Sequence, residues 1–202
     1  KETLVTAGST FRQDKKDAYA RAIAREDDAK ARWALETILE NAEAAQKARS
    51  PLCDDTGIPH LVIEVGQDAV VSGNMLDAIR EGVAEGLRQL PGRPMSIMGN
   101  DSQRLDQSGG LNADSAGVES APILLKPCAD NVLRLHILMF GGGPAIRAKT
   151  YRVFHRHDTR VVLDEIVQWA IEGVAQLGCS LCTLAIGVGR SHYEATAMML
   201  EA

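Results

Sequence analysis

The sequence predicts an α+β (mixed α/β) fold: a helical N-terminal region packed on a small mixed sheet with a β-hairpin, flanked by helices. Three observations carry this expectation. Residues 14–49 are rich in Ala, Glu, Lys and Arg with apolar residues at helical spacing, short β-type runs follow, and helical patterns stand between and after those runs. No internal repeat interrupts the pattern. At 202 residues, 45% hydrophobic and 24% charged, the chain is long and apolar enough to bury a core.

In the first region Leu35, Ile38, Leu39 and Ala42 recur at i, i+3, i+4 and i+7. This predicts two helices meeting near Asp27, ended by Ser50-Pro51. A polar segment, 54–57, leads into the β-rich run 60–65. Asn74 is placed to cap a helix whose apolar face is Met75, Ile79, Val83, Leu87 and Leu90, with Pro91-Gly92 to stop it. Residues 99–117 are polar and read as a long loop. Runs 121–126 and 132–140 then read as strands joined by 127–131 into an antiparallel hairpin. Asp158 or Thr159 caps a further helix, with Leu163, Ile166, Val167, Ala170, Val174 and Leu177 on one side and Gly178 at its end. After Cys179, residues 181–188 suit a buried strand, and a last helix starts near Ser191. The expected division is a helical region, 1–49, and a core, 50–202.

Charge and cysteine usage narrow the function. The net charge is -5 and the 22 Lys and Arg are spread along the chain, which argues against nucleic acid as a partner. No apolar run approaches the length of a membrane span and the first residues lack a signal-peptide layout, so a soluble, cytoplasmic protein is expected. Four cysteines, Cys53, Cys128, Cys179 and Cys182, are too few and scattered for a disulfide scaffold and suit reduced thiols available to metal.

Three segments could hold chemistry. Pro51-Leu52-Cys53-Asp54-Asp55-Thr56-Gly57 puts a thiol, two carboxylates and a hydroxyl on a loop between helix and strand. The same residues also suit an ordinary turn around a buried Cys. Gly141-Gly142-Gly143 ends a strand with N–H groups that can meet an anion, or is a plain turn. Gly178-Cys179-Ser180-Leu181-Cys182 has Cys-x-x-Cys spacing, suited to a metal or redox pair, although Cys182 also fits a core position. Cys128, in the expected hairpin turn, has no partner in sequence. His155-Arg156-His157 suits a solvated turn, or one half of a zinc site with the Cys-x-x-Cys.

Taken together, the Cys-x-Asp-Thr-Gly segment, the glycine triplet and a Gly-Cys opening an apolar run into Gly187-Val188-Gly189 resemble the iron-sulfur hydro-lyases. That family comprises class I fumarases and L-tartrate dehydratases, and the likeness is to its alpha-type catalytic domain, over residues 50–202, with the C-terminal part missing. The resemblance implies reversible dehydration of a 2-hydroxy dicarboxylate on a 4Fe-4S cluster held by three Cys thiolates, one iron being open to substrate. Cys53 and Cys179 match two ligands. Asp55 matches the acidic catalytic residue. Asp54, Arg93, Gly141, Gly142 and Gly143 match substrate-binding positions, Arg93 gripping a carboxylate. A beta-type domain or subunit and a homo- or hetero-oligomer are further implications.

The chain departs from the family at several places. Asp54 replaces Gln, Ser180-Leu181 replace two prolines, Pro144-Ala145-Ile146 replace Ser-Glu-Asn, and no third ligand matches, leaving Cys182 or Cys128 as substitutes. Those departures also fit a non-catalytic homologue acting as a binding or assembly subunit without a cluster.

Overall fold

The computed structural model describes residues 1–53, 57–90, 114–118, 120–141, 148–177 and 181–202. It is mixed α+β, and it divides into two compact units, 1–142 and 143–202.

The first unit opens with α1 (Glu2–Ser9), which the composition of residues 2–9 does not announce. Its Leu4 and Val5 are nearly inaccessible, so tertiary burial fixes a helix that is too short to stand alone. Next come α2 (Gln13–Arg25) and α3 (Ala29–Ala48), which pack on one another and meet where the spacing predicts. Asp28 caps α3 by accepting from Lys30 and Ala31 backbone N–H at 2.9 and 2.8 Å. Arg49 ends it in the left-handed conformation, φ 51°, and Ser50 N–H returns to Ala45 O at 3.0 Å.

Strand β1 (Ile58–Val65) alternates cleanly, Pro59, Leu61 and Ile63 buried and Ile58, His60, Val62 and Glu64 half-buried. Helix α4 (Gly73–Gln89) starts two residues earlier than expected, because Ser72 rather than Asn74 is the cap and accepts the Met75 N–H at 3.2 Å. Its Val83 and Leu87, with Leu90, join Leu4, Val5, Leu61 and Val118 in one core. Gly86 lets α1 approach: a Cβ there would lie 3.2 Å from Lys1 O and 3.3 Å from Leu4. A 3-10 turn, Ser115–Gly117, is tied to α4 by Ser115 Oγ to Leu87 O, 2.9 Å, and by an Arg88–Asp114 ion pair, 2.9 Å. The ends expected at Pro91-Gly92 and most of the loop 99–117 lie outside the described residues.

The expected hairpin does not form. Strands β2 (Leu124–Pro127) and β3 (Leu133–Phe140) are both present, but β1 lies between them in the order β2-β1-β3, parallel to β2 and antiparallel to β3. The five-residue connection 128–132 therefore spans over the end of β1 instead of folding tightly. Gly66 N–H and Cys128 N–H close that crossing on Val132 O, 2.8 Å, and Val65 O, 3.1 Å. Burial decides the order: β1 is the strand with a fully covered face, and a central position satisfies both of its backbone edges.

In the second unit α5 (Thr159–Ala175) is capped by Asp158, which accepts from Arg160 N–H at 2.8 Å. Its expected apolar side is present in sequence, yet no residue of α5 is buried. Tyr151 stacks on Trp169 at 4.1 Å along one flank. The run 181–188 is neither helix nor strand, with Leu184, Ile186 and Val188 exposed, which corrects the buried strand expected there. A lone extended run has no second strand to take its backbone groups within the described residues of this unit. Helix α6 (His192–Glu201) is capped by Ser191, which accepts from Glu194 N–H at 3.2 Å, while Glu194 reaches back to Arg190 N–H at 2.5 Å. Among the described residues no helix is long and apolar enough to cross a membrane.

Candidate active site

The Cys53 loop is held at both of its described ends. Leu52 N–H donates to Gly8 O at 3.1 Å, which fastens the loop's start to α1. Gly57 has φ +100°, a backbone state that favours glycine, and any Cβ there would sit 2.2 Å from Phe140 O and 2.4 Å from Gly141 N. Because Ile58 pairs with Phe140, the end of the Cys53 segment lies directly against the start of the glycine triplet. Two of the three segments singled out by sequence therefore meet at one end of the sheet. Cys53 itself is exposed.

Other expected site residues fall elsewhere. Asp54, Asp55, Arg93, Gly142, Gly143 and Cys179 lie outside the described residues, as does Gly178. Cys182 is exposed, which removes the core reading of that residue. Cys128 is at the wrong end: its N–H bonds Val65 O, whereas the Cys53 loop enters at Ile58. The eight residues of β1 hold these ends roughly 23 Å apart at about 3.3 Å per residue. Cys128 thus stands at the far end of β1 from the entry of the Cys53 loop, and its thiol faces Asp130 O at 3.1 Å. His155 and His157 form an exposed turn in which His155 Nδ1 accepts from the His157 N–H at 2.9 Å. That bond takes one imidazole nitrogen, and no group of three or more His, Cys, Asp or Glu suited to a metal occurs among the described residues.

The sheet face opposite the helices carries polar residues that were not singled out from the sequence. Glu64 sits beside His136, 3.3 Å from its Nε2, and beside Arg134, which also reaches Asp130 at 3.4 Å. Hydrogen bonds from His136 and then Arg134 hold the Glu64 carboxyl below the ordinary carboxylate value. Toward the Cys53 end of the same face, His60 Nδ1 lies 2.9 Å from Ile58 O, and its ring meets Phe140 edge-on with centroids 5.6 Å apart. Alternation along β1 places His60 and Glu64 on one face, a signal legible in the sequence once the strand is recognised.

The convergence of the Cys53 loop and Gly141 agrees with a comparison over the whole sequence, since residues 1–202 match the family described as fumarate hydratase (Fumerase). The chain belongs to that family. It is also 28% identical over 109 residues to a Methanocaldococcus jannaschii protein whose provisional name is L(+)-tartrate dehydratase subunit alpha. That match takes in 53% of this chain and 38% of the relative, so the chain spans well under two thirds of the relative's length. Cys53 is exposed next to Leu52, whose N–H fastens the chain to α1, and a thiolate ligand needs such accessibility.

Proposed function

We propose that this chain supplies the alpha-type part of an iron-sulfur hydro-lyase acting on a 2-hydroxy dicarboxylate of the malate or tartrate kind. The observation that carries the reading is the contact of Gly57 with Phe140 and Gly141, which joins the thiol loop to a glycine-rich strand end. Family membership supports the reaction class, and the tartrate dehydratase name of the relative supports the substrate class. Cys53 and Cys179 would hold a 4Fe-4S cluster, with the third thiolate supplied from outside this pair. When bound, that cluster supplies a Lewis acid for the departing hydroxyl.

The chain's own residues would do the rest. Asp55, two residues after the thiol, moves a proton at the substrate carbon. Arg93 pairs with one carboxylate in a two-pronged fashion, and the backbone N–H groups of Gly141, Gly142 and Gly143 donate to a carboxylate near the strand end. Asp54 stands where its negative charge selects against a carboxylate placed beside it, and so orients the substrate. A beta-type domain or subunit completes the site, and the work is done in the cytoplasm.

The test is anaerobic reconstitution of the chain with iron and sulfide, followed by activity with a beta-type partner. Wild type gains broad absorbance near 400 nm, Cys53→Ser loses it, and Cys128→Ser keeps it. Reconstituted wild type without iron overturns the cluster reading. Dehydratase activity that survives Cys53→Ser favours the binding-subunit alternative for this chain.

A further inference from the structure

Phe140 touches two things at once. Its carbonyl abuts Gly57 at the end of the thiol loop, and its ring packs edge-on, at 81°, against the imidazole of His60. His60 is thus set beside the candidate site by the same residue that closes it. Its Nδ1 lies 2.9 Å from Ile58 O, and a carbonyl oxygen can only accept, so the proton of the neutral ring is on Nδ1. Nε2 is left as a lone-pair acceptor, and it makes no hydrogen bond among the described residues. The ring is half-buried on the sheet face that α1 and α4 leave open.

We propose that His60 is a specificity-determining residue, whose Nε2 accepts a hydrogen bond from a hydroxyl of the dicarboxylate bound at this end of the sheet. The inference rests on the dicarboxylate reading above and adds to its cluster a side chain of the protein that tells a hydroxy acid from its deoxy analogue. An acceptor of this kind attracts an O–H and repels a carboxylate oxygen, because neither lone pair finds a proton. Arg93 and the glycine N–H groups cannot make that distinction, since they bind carboxylates common to both ligands.

The experiment titrates L-tartrate and succinate by calorimetry into the reconstituted chain together with its beta-type partner, for wild type, His60→Phe and His60→Gln. The Phe variant keeps a flat ring against Phe140 without an acceptor, and the Gln variant restores an amide oxygen near the Nε2 position. Loss of one hydrogen bond to a hydroxyl predicts roughly threefold to tenfold weaker tartrate binding in His60→Phe. Succinate binding stays unchanged and His60→Gln recovers part of the loss. Nitrogen NMR of labelled wild type reads the same feature without a substitution: Nε2 resonates as unprotonated and shifts with L-tartrate but not with succinate. Equal weakening for both ligands, no weakening for either, or a protonated Nε2 overturns the role of His60 while leaving the dicarboxylate reading intact. Wild type that binds neither ligand overturns both.

Discussion

The two units of the chain treat their apolar residues in opposite ways. In 1–142, Leu4, Val5, Leu61, Val83, Leu87, Leu90 and Val118 close on one another between α1, α4 and the sheet. In 143–202, helix α5 is just as apolar in pattern, yet Leu163, Val167 and Ile171 are each more than half exposed. The contrast teaches that an amphipathic pattern states which face seeks cover and says nothing of where the cover comes from. Helix α4 shares a core with α1 and with Leu61 of β1 within its own unit, whereas among the described residues α5 has Tyr151 stacked along one flank.

The largest test of that contrast is a pair of truncations. Leu61→Ala should cost about 2–5 kcal/mol in urea denaturation, since it empties a site that is 1% exposed. Ile171→Ala should stay within about 0.5 kcal/mol, as expected at an open surface. If the two costs are similar, the α5 face is covered in solution and the contrast breaks. Next in size is Gly57→Ala, expected to lose about 2 kcal/mol or more because both the positive φ and the Phe140 carbonyl oppose a side chain. Its loss should appear in the stability of the first unit, read by hydrogen exchange of β1 and β3.

Capping sharpens the comparison at a smaller scale. Asp28→Ala and Asp158→Ala each remove an Asp cap, worth about 1 kcal/mol, the first accepting two backbone N–H groups and the second one. Amide exchange should show the second spreading along α5, which has no buried residue to hold it, while the first stays within the opening turns of α3. Smallest is the effect of acid on Glu64. Its folded carboxyl titrates below the ordinary value of 4.5, so its contribution is full above that pH and fades as pH falls toward the lower folded value. Glu64→Gln should flatten the stability profile in that acid range and leave the neutral range level, as followed by circular dichroism.

Local signals were legible where local chemistry decides. Asp158 and Ser191 mark helix starts because their side-chain oxygens answer nearby N–H groups whatever the rest of the fold does. The break at Asp27, the strand at 60–65 and the α4 face follow from period alone. Sheet order was not legible, since 121–126 and 132–140 carry the same pattern whether they pair with each other or with β1. Nor was α1, whose helix depends on burying Leu4 and Val5 against residues more than fifty positions away. At the site, the thiol loop and glycine triplet were visible as motifs. Their contact required Gly57 and the Ile58–Phe140 register, which no spacing in the chain records.

One small feature of the second unit bears on how such sequences are compared. The glycines ahead of α6 are seats for that helix: a Cβ on Gly187 would lie 2.0 Å from Ala195 O, and one on Gly189 2.5 Å from Ala195 N. A Gly-x-Gly step before a helix invites analogy with phosphate-cradling loops, yet the anion's usual berth is already taken by the chain's own Glu194 carboxylate. A side chain at 187 or 189 would thus press into the backbone of α6, whereas the intervening Val188 points its apolar surface outward.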